Sequence, residues 1–136
     1  MAIRNIIPDT DEIMHKVCKP IDKITDRVKI LIEDMCDTLE KSGGIGLAGP
    51  QVGMMRRVFV VLDQYIDEDD NEVDEIIEFV NPEILEKSEE TITSFEGCLS
   101  FPGRNGLIRR PAYVRAKAQD RNGEWFEIEA EGILAR

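Results

Sequence analysis

Residues 44–53 read Gly-Ile-Gly-Leu-Ala-Gly-Pro-Gln-Val-Gly, an apolar segment that is too rich in glycine to form a long helix. In the stretch just before it, residues 28–39, apolar side chains recur at helical spacing. This pattern predicts a helix over residues 25–41, with Thr25 as its N-cap. Gly43 then ends the helix, because glycine accepts the left-handed conformation that follows a last helical turn.

The residues that follow the glycine-rich segment predict short strands. Residues 57–63 form a β-branched apolar run, which is typical of a buried strand. Residues 67–75 are strongly acidic and predict a solvated turn. A second strand is expected over residues 76–80, where Asn81-Pro82 ends it, and residues 83–95 predict one or two more strands.

The last third of the sequence predicts a hairpin and the start of a helix. Residues 113–118 and 125–130 alternate between apolar and polar side chains on either side of the turn sequence at 120–123. Residues 131–136 have the character of a helix entry. A long N-terminal helix packed on short antiparallel sheets is an α+β architecture, and we expect residues 1–136 to form a single domain.

Composition excludes several classes of function. The 136 residues carry 17 basic and 28 acidic side chains, a net charge of −11, which disfavours binding to nucleic acid or to an anionic membrane. The longest apolar run, residues 58–62, is far too short for a transmembrane helix, and residues 1–9 do not resemble a signal peptide. These features predict a cytoplasmic protein.

The cysteines do not form a recognisable metal or disulfide pattern among themselves. The three of them, Cys18, Cys36 and Cys98, are scattered and include no Cys-x-x-Cys pair. Cys98 is flanked by Gly97, which leaves its sulfur sterically open to a metal or a substrate. A lone cysteine is nevertheless more often a small buried apolar residue, so both interpretations of Cys98 stay open on its own sequence context.

Two longer motifs, taken together, carry a resemblance to a known family. Gly-x-Gly-Leu-Ala-x-Pro-Gln at residues 44–51 is followed by Glu-Gly-Cys-Leu-Ser at residues 96–100. The sequence resembles the peptide deformylases, and the likeness includes Asn81-Pro82, Arg110-Pro111 and the turn at 120–123. The resemblance implies the deformylase fold and removal of the formyl group from the N-terminal formyl-methionine of nascent proteins.

The resemblance also implies a metal-dependent mechanism. In the family, Fe2+ (or Zn2+ or Ni2+) is held by one cysteine and two histidines, and Cys98 matches the cysteine. The Leu99 N–H and the Gln51 side-chain amide would hold the oxyanion, and Gly46 would let the substrate backbone approach. Glu96 would support the loop that carries Cys98. The substrate contacts implied are Gly44, Ile45, Gly46, Gly97 and Leu99.

The third family motif, His-Glu-x-x-His on a helix, is not in this sequence. In the family it follows the segment that here is residues 132–136, and the sequence ends at Arg136. Two metal-ligating histidines and the catalytic glutamate are therefore missing, and the sequence has a single histidine, His15, in its N-terminal region. We expect a C-terminally truncated domain that lacks the metal-binding helix, binds metal weakly or not at all, and deformylates poorly.

Three hypotheses for function follow. The first is a peptide deformylase whose catalytic helix is missing from this chain, and the second is a non-catalytic, deformylase-like peptide-binding protein. The third is a hydrolase that uses Cys98 as its nucleophile, for which only His15 could act as the base. Retention of both Gln51 and Cys98 favours the first.

The partner expected under the first two hypotheses is a formyl-methionyl N-terminus. It would lie as an added strand in a groove between the glycine-rich segment and the Cys98 loop. Without the metal-binding helix, apolar surface from Ile32, Val60 or Phe126 is expected to be exposed. The chain would then be less stable than a full-length relative, or it would dimerise to cover that surface.

Overall fold

The computed structural model describes residues 2–8, 11–100 and 105–136. Within those ranges the helices are a 3-10 helix Glu12–His15, α1 Asp26–Ser42, a 3-10 helix Gly49–Val52 and a single-turn α2 Gly132–Ala135. The strands are β1 Gly46–Ala48, β2 Val58–Ile66, β3 Glu72–Lys87, β4 Thr91–Gly97, β5 Asn105–Pro111, β6 Tyr113–Gln119 and β7 Trp125–Glu131. A long helix before antiparallel strands confirms the α+β prediction.

Helix α1 begins and ends where its capping residues predict. The Thr25 side chain accepts a hydrogen bond from the Val28 N–H at 3.4 Å, which satisfies one of the unpaired N–H groups of the first turn. At the other end, Gly43 has φ of 73°, the left-handed conformation that glycine adopts at least cost. The observed helix, Asp26–Ser42, differs from the predicted range by one residue at each end.

The main sheet contains five antiparallel strands in the order β1-β2-β3-β6-β7. Helix α1 packs on this sheet, and the buried core lies between them. Its members are apolar residues from the segment before α1, the helix, the glycine-rich segment and the inner strands: Ile21, Leu31, Ile32, Met35, Leu39, Leu47, Val52, Val58, Val60 and Val80. Burial of this surface is the main stabilising contribution to the fold.

The prediction of exposed apolar surface at Ile32 and Val60 is wrong. Both residues are 0% exposed, because α1, which carries Ile32, packs directly on β2, which carries Val60. Phe126 is half-buried, and its ring centroid lies 5.6 Å from that of Phe79. The exposed apolar side chains include Phe95 and Leu107, which lie on other strands.

The prediction that Asn81-Pro82 ends a strand is also wrong, since β3 continues through it to Lys87. The strand survives because the pairing with β6 shifts register between Val80 and Glu83, and Asn81 takes a φ of 50°. The Asn81 amide compensates for the irregularity. It exchanges two hydrogen bonds of 2.7 Å with the backbone of Ile21, and its Nδ2 donates to Gln119 Oε1 at 2.8 Å.

Strands β4 and β5 form a separate two-stranded antiparallel sheet, which we call the ribbon. Its pairing runs from Thr91 opposite Pro111 to Gly97 opposite Asn105. The chain leaves β4 at Gly97 and enters Cys98, Leu99 and Ser100, which we call the Cys98 turn. The ribbon therefore presents the second motif at the end where the chain passes from β4 to β5.

Residues 67–75, predicted as a turn, divide between a turn and a strand. Asp67 Oδ1 accepts hydrogen bonds from the N–H groups of Asp69 and Asn71, each at 2.9 Å, and β3 begins at Glu72. In the described part of the chain, no helix is long and apolar enough to cross a membrane.

Candidate functional site

The glycine-rich segment folds into an edge strand followed by one turn of 3-10 helix. Among the described residues, strand β1 pairs with β2 alone, with Gly46 opposite Val61. Gly49 starts the 3-10 turn, and a Cβ atom there would lie 2.7 Å from the Met54 carbonyl oxygen. Glycine is therefore needed at that position for close packing of two backbone segments, whereas Gly46 has room for a Cβ at ordinary contact distances.

The 3-10 turn places Gln51 at the centre of the candidate site. Its side chain is buried, and its Oε1 accepts a hydrogen bond from the Ala48 N–H at 2.9 Å. Its Nε2 lies 3.4 Å from Cys98 Sγ and 3.4 Å from Ser100 Oγ. Because the oxygen is held by a backbone donor, the amino group faces the Cys98 turn.

The Cys98 turn also contacts the segment through Leu99. A Cβ atom on Gly44 would lie 2.9 Å from Leu99 Cδ1, so the leucine side chain occupies the space above that glycine. Leu99 is partly buried and packs against the core, while Cys98 is exposed and is not in a disulfide. The two motifs, which lie far apart in sequence, thus meet at Gly44, Gln51, Cys98 and Leu99.

Glu96 lies on β4 and joins two arginines beside the Cys98 turn. Its carboxylate receives hydrogen bonds from Arg110 Nε at 2.7 Å and Nη2 at 2.8 Å, and from Arg136 Nη2 at 2.8 Å. The Arg110 hydrogen bonds are the main reason that the pKa of Glu96 lies below its ordinary value. Glu96, Gly97, Cys98 and Arg110 line part of a cavity of about 240 Å³ at the end of the ribbon.

The remaining predicted substrate contacts lie around the same place. Ile45 is 53% exposed, and its carbonyl accepts the Leu62 N–H at 2.8 Å. Gly46 follows it on the free edge of the sheet, and Gly97 is the last, exposed residue of β4. The predicted residues are therefore distributed between the edge of β1 and the end of the ribbon where β4 leads into the Cys98 turn.

The geometry around Cys98 argues against the hypothesis of a cysteine nucleophile. The hydrogen bond that Cys98 receives comes from the Gln51 amide, which cannot take up a proton and so cannot act as a base. His15 lies at the end of the 3-10 helix Glu12–His15, in the N-terminal part of the chain, where its side chain is exposed.

Two residues of this site had no role in the sequence analysis. Ser100 is 0% exposed and holds the Gln51 amide, and only its place in the second motif signalled it. Arg136 reaches from α2 to the ribbon, 40 positions after Glu96. A contact of that range leaves no local pattern in a sequence.

Comparisons with known proteins agree on one family. Residues 3–136 match the family model described as polypeptide deformylase. The chain is 48% identical over 136 residues to peptide deformylase 1 of Clostridium perfringens, an alignment that covers 100% of this chain and 87% of that protein.

Solved structures give the same result for the fold. The peptide deformylase of Thermotoga maritima superposes with a TM-score of 0.85 at 38% identity, over 100% of this chain and 86% of that one. A class I type b peptide deformylase of Acinetobacter baumannii, solved with Met-Ala-Ser bound, gives a TM-score of 0.88 at 28% identity. The superposition covers 98% of this chain and 87% of that one. The chain belongs to the peptide deformylase family.

Deformylases of this family use a metal ion, so we tested whether the residues here fit one. Across residues 2–8, 11–100 and 105–136, no group of three or more His, Cys, Asp or Glu side chains could hold a metal ion. Cys98 is the single ligand that the family resemblance assigns to these residues. One thiolate does not make a metal centre.

Proposed function

We propose that this chain binds the formyl-methionyl N-terminus of nascent peptides between β1 and the Cys98 turn, as a peptide deformylase does. We further propose that it acts in the cytoplasm, where nascent chains are made. The observation that carries the proposal is the Gln51 side chain, which joins the two motifs through Ala48 on one side and Cys98 on the other.

Gln51 supports the proposal because its amino group is a fixed donor. The Ala48 N–H donates to the amide oxygen, and the side chain is buried. Donors that are already aimed at the place where negative charge develops are a large part of acyl-transfer catalysis. In our proposal the Gln51 amino group and the Leu99 N–H both donate hydrogen bonds to the formyl oxygen.

The edge position of β1 supports an extended peptide as the ligand. An edge strand has backbone N–H and C=O groups available for another strand, and peptides commonly add to sheets in this way. The chain's own packing does not require glycine at position 46, since a Cβ there would sit 3.8 Å from its nearest neighbours. We attribute the glycine to close approach of the peptide backbone, and the Met-Ala-Ser complex of the Acinetobacter relative supports a methionyl ligand.

The first test measures binding of formyl-Met-Ala-Ser and of unformylated Met-Ala-Ser to the chain by calorimetry. We expect tighter binding of the formylated peptide, and loss of that preference in Gln51→Ala by roughly 3- to 10-fold, the value of one or two hydrogen bonds. Gln64→Ala is the matched control, because Gln64 is an exposed glutamine on β2. Equal preference in the two variants would exclude our role for Gln51.

The second test measures formate release after a His-Glu-x-x-His segment is added behind Arg136. The deformylase proposal expects turnover, with Gln51→Ala slower by roughly 100- to 1000-fold and Cys98→Ala unable to retain metal. A chain that gains metal but releases no formate would contradict deformylation. If such a chain also bound the peptide, the second hypothesis, a non-catalytic binding protein, would replace the first.

A further inference from the structure

The ribbon lies outside the ladder of the main sheet but is joined to it at its base, where the Ser88 N–H donates to the Tyr113 carbonyl at 3.0 Å and the Ala112 N–H to the Glu90 carbonyl at 2.9 Å. Other contacts must fix the part of the ribbon that extends beyond this base. A two-stranded sheet is only marginally stable alone in water. On one side of the Cys98 turn, the contacts are those of Gln51 with Cys98 and of Gly44 with Leu99. The other side of the ribbon is held by the side chain of Arg136.

The Arg136 guanidinium contacts both strands of the ribbon. Nη1 donates to the Ile92 carbonyl at 2.8 Å and Nη2 to that of Ser94 at 3.4 Å, both on β4. Nη2 also donates to the Ile108 carbonyl on β5 and pairs with Glu96. One side chain therefore holds two adjacent strands and the carboxylate that lies two residues before Cys98.

The position of Arg136 in the fold extends these contacts to the main sheet. Its N–H continues the helical hydrogen bonding of α2, and α2 follows directly from β7 at the edge of the main sheet. The side chain is only 12% exposed, and a planar guanidinium can donate to several fixed acceptors at once. It thus connects the edge of the main sheet to the ribbon.

We propose that Arg136 is a positioning residue, which holds β4, β5 and Glu96 against α2 and thereby sets where Cys98 and Leu99 lie relative to Gln51. The inference rests on the proposed function in one respect, the use that the protein makes of the Cys98 turn. Its test does not depend on that function, because it requires no peptide and no turnover.

The test compares hydrogen exchange of the backbone amides of the β4–β5 ladder in the full chain with that of the β2–β3 ladder in the same molecules, resolved by mass spectrometry. Arg136→Met removes every donor while keeping side-chain length. The matched control is Arg109→Met, which removes the same charge from an exposed residue of the ribbon. An overall loss of stability would speed exchange in both ladders, so the ratio of the exchange rate in the ribbon to that in the β2–β3 ladder reports the ribbon alone.

We expect Arg136→Met to raise that ratio by roughly 3- to 10-fold as the ribbon opens locally, with Arg109→Met unchanged. A ratio equal to that of Arg109→Met would overturn the proposal. If Arg136→Met does not fold, Arg136→Lys takes its place, because an ammonium keeps the charge but cannot match the planar fork of donors. A wild-type ratio in a folded Arg136→Lys that also keeps wild-type hydrogen exchange at Leu99 would likewise overturn it.

Discussion

The five-stranded sheet and the ribbon are held together by different forces. Ile32 and Val60, between α1 and the sheet, are 0% exposed, whereas Phe95 and Leu107 on the ribbon are 73% and 63% exposed. The sheet is stabilised by burial, and the ribbon by its own ladder and a few polar contacts. The residues proposed to act on substrate come from both regions, so the site depends on the contacts between them.

The largest difference in unfolding free energy between the two regions should appear when an isoleucine is truncated to alanine in each. Ile32→Ala leaves a cavity in a closed core and should cost about 2–5 kcal/mol of unfolding free energy. Ile92→Ala, on the ribbon at 45% exposure, should cost below about 1 kcal/mol. Urea denaturation measures both. Similar losses would mean that the ribbon is part of the core, and our comparison would be wrong.

The cysteines of the two regions should differ in reactivity. Desolvation, helped by the Glu78 carboxylate, raises the pKa of Cys36 to about 12, so that about one molecule in ten thousand carries the thiolate at pH 8. Cys98 is exposed at the end of the ribbon. Cys36 should react with iodoacetamide at least about 100-fold more slowly than Cys98. The two should react alike in concentrated guanidinium, and equal rates in the folded chain would contradict the prediction.

A smaller effect on stability, and one that depends on pH, is expected where the N-terminal segment contacts α1. Asp34 is 5% exposed and accepts hydrogen bonds from the Ala2 N–H at 2.9 Å and Arg4 Nε at 3.0 Å. The Ala2 N–H is the largest cause of the lowered pKa of Asp34. A lowered pKa stabilises the fold above the unfolded value, about 3.9, and this stabilisation is lost as pH falls through the folded pKa.

Asp34→Asn should therefore cost about 1–3 kcal/mol at neutral pH, and the difference from wild type should shrink below about pH 4. Denaturation at a series of pH values gives this difference directly. Asp22→Asn, at an exposed position, is the control and should show little change. A difference that stayed constant down to pH 2 would show that ionisation of Asp34 is not what stabilises the segment.

The sequence predicts elements well where the cause is local. Thr25 and Gly43 mark the ends of α1, and alternation identifies β6 and β7. The continuation of β3 through Asn81 was missed because its compensating partners, Ile21 and Gln119, are distant in sequence.

The candidate site shows the same limit. That Gln51 and Cys98 belong to one site followed from the resemblance of two motifs to a family, and the structure places their side chains 3.4 Å apart. Ser100 and Arg136 were missed as contributors because their contacts form only in the folded chain. Their roles depend on which strands pair and on where α2 begins.

The smallest effect is expected from added zinc. If ligands for a metal were complete in this chain, zinc would stiffen the ribbon through Cys98 and stabilise the fold by linkage. Within the described residues, however, no cluster of three or more ligating side chains exists, and a single exposed thiolate binds zinc weakly. At a zinc concentration no higher than its Kd, the gain in unfolding free energy is below about 0.5 kcal/mol. Calorimetric titration and thermal melts of wild type, Cys98→Ser and the control Cys18→Ser measure this. Tight, stoichiometric binding that is lost in Cys98→Ser and kept in Cys18→Ser would contradict the prediction, because it would require a second and a third ligand near the ribbon.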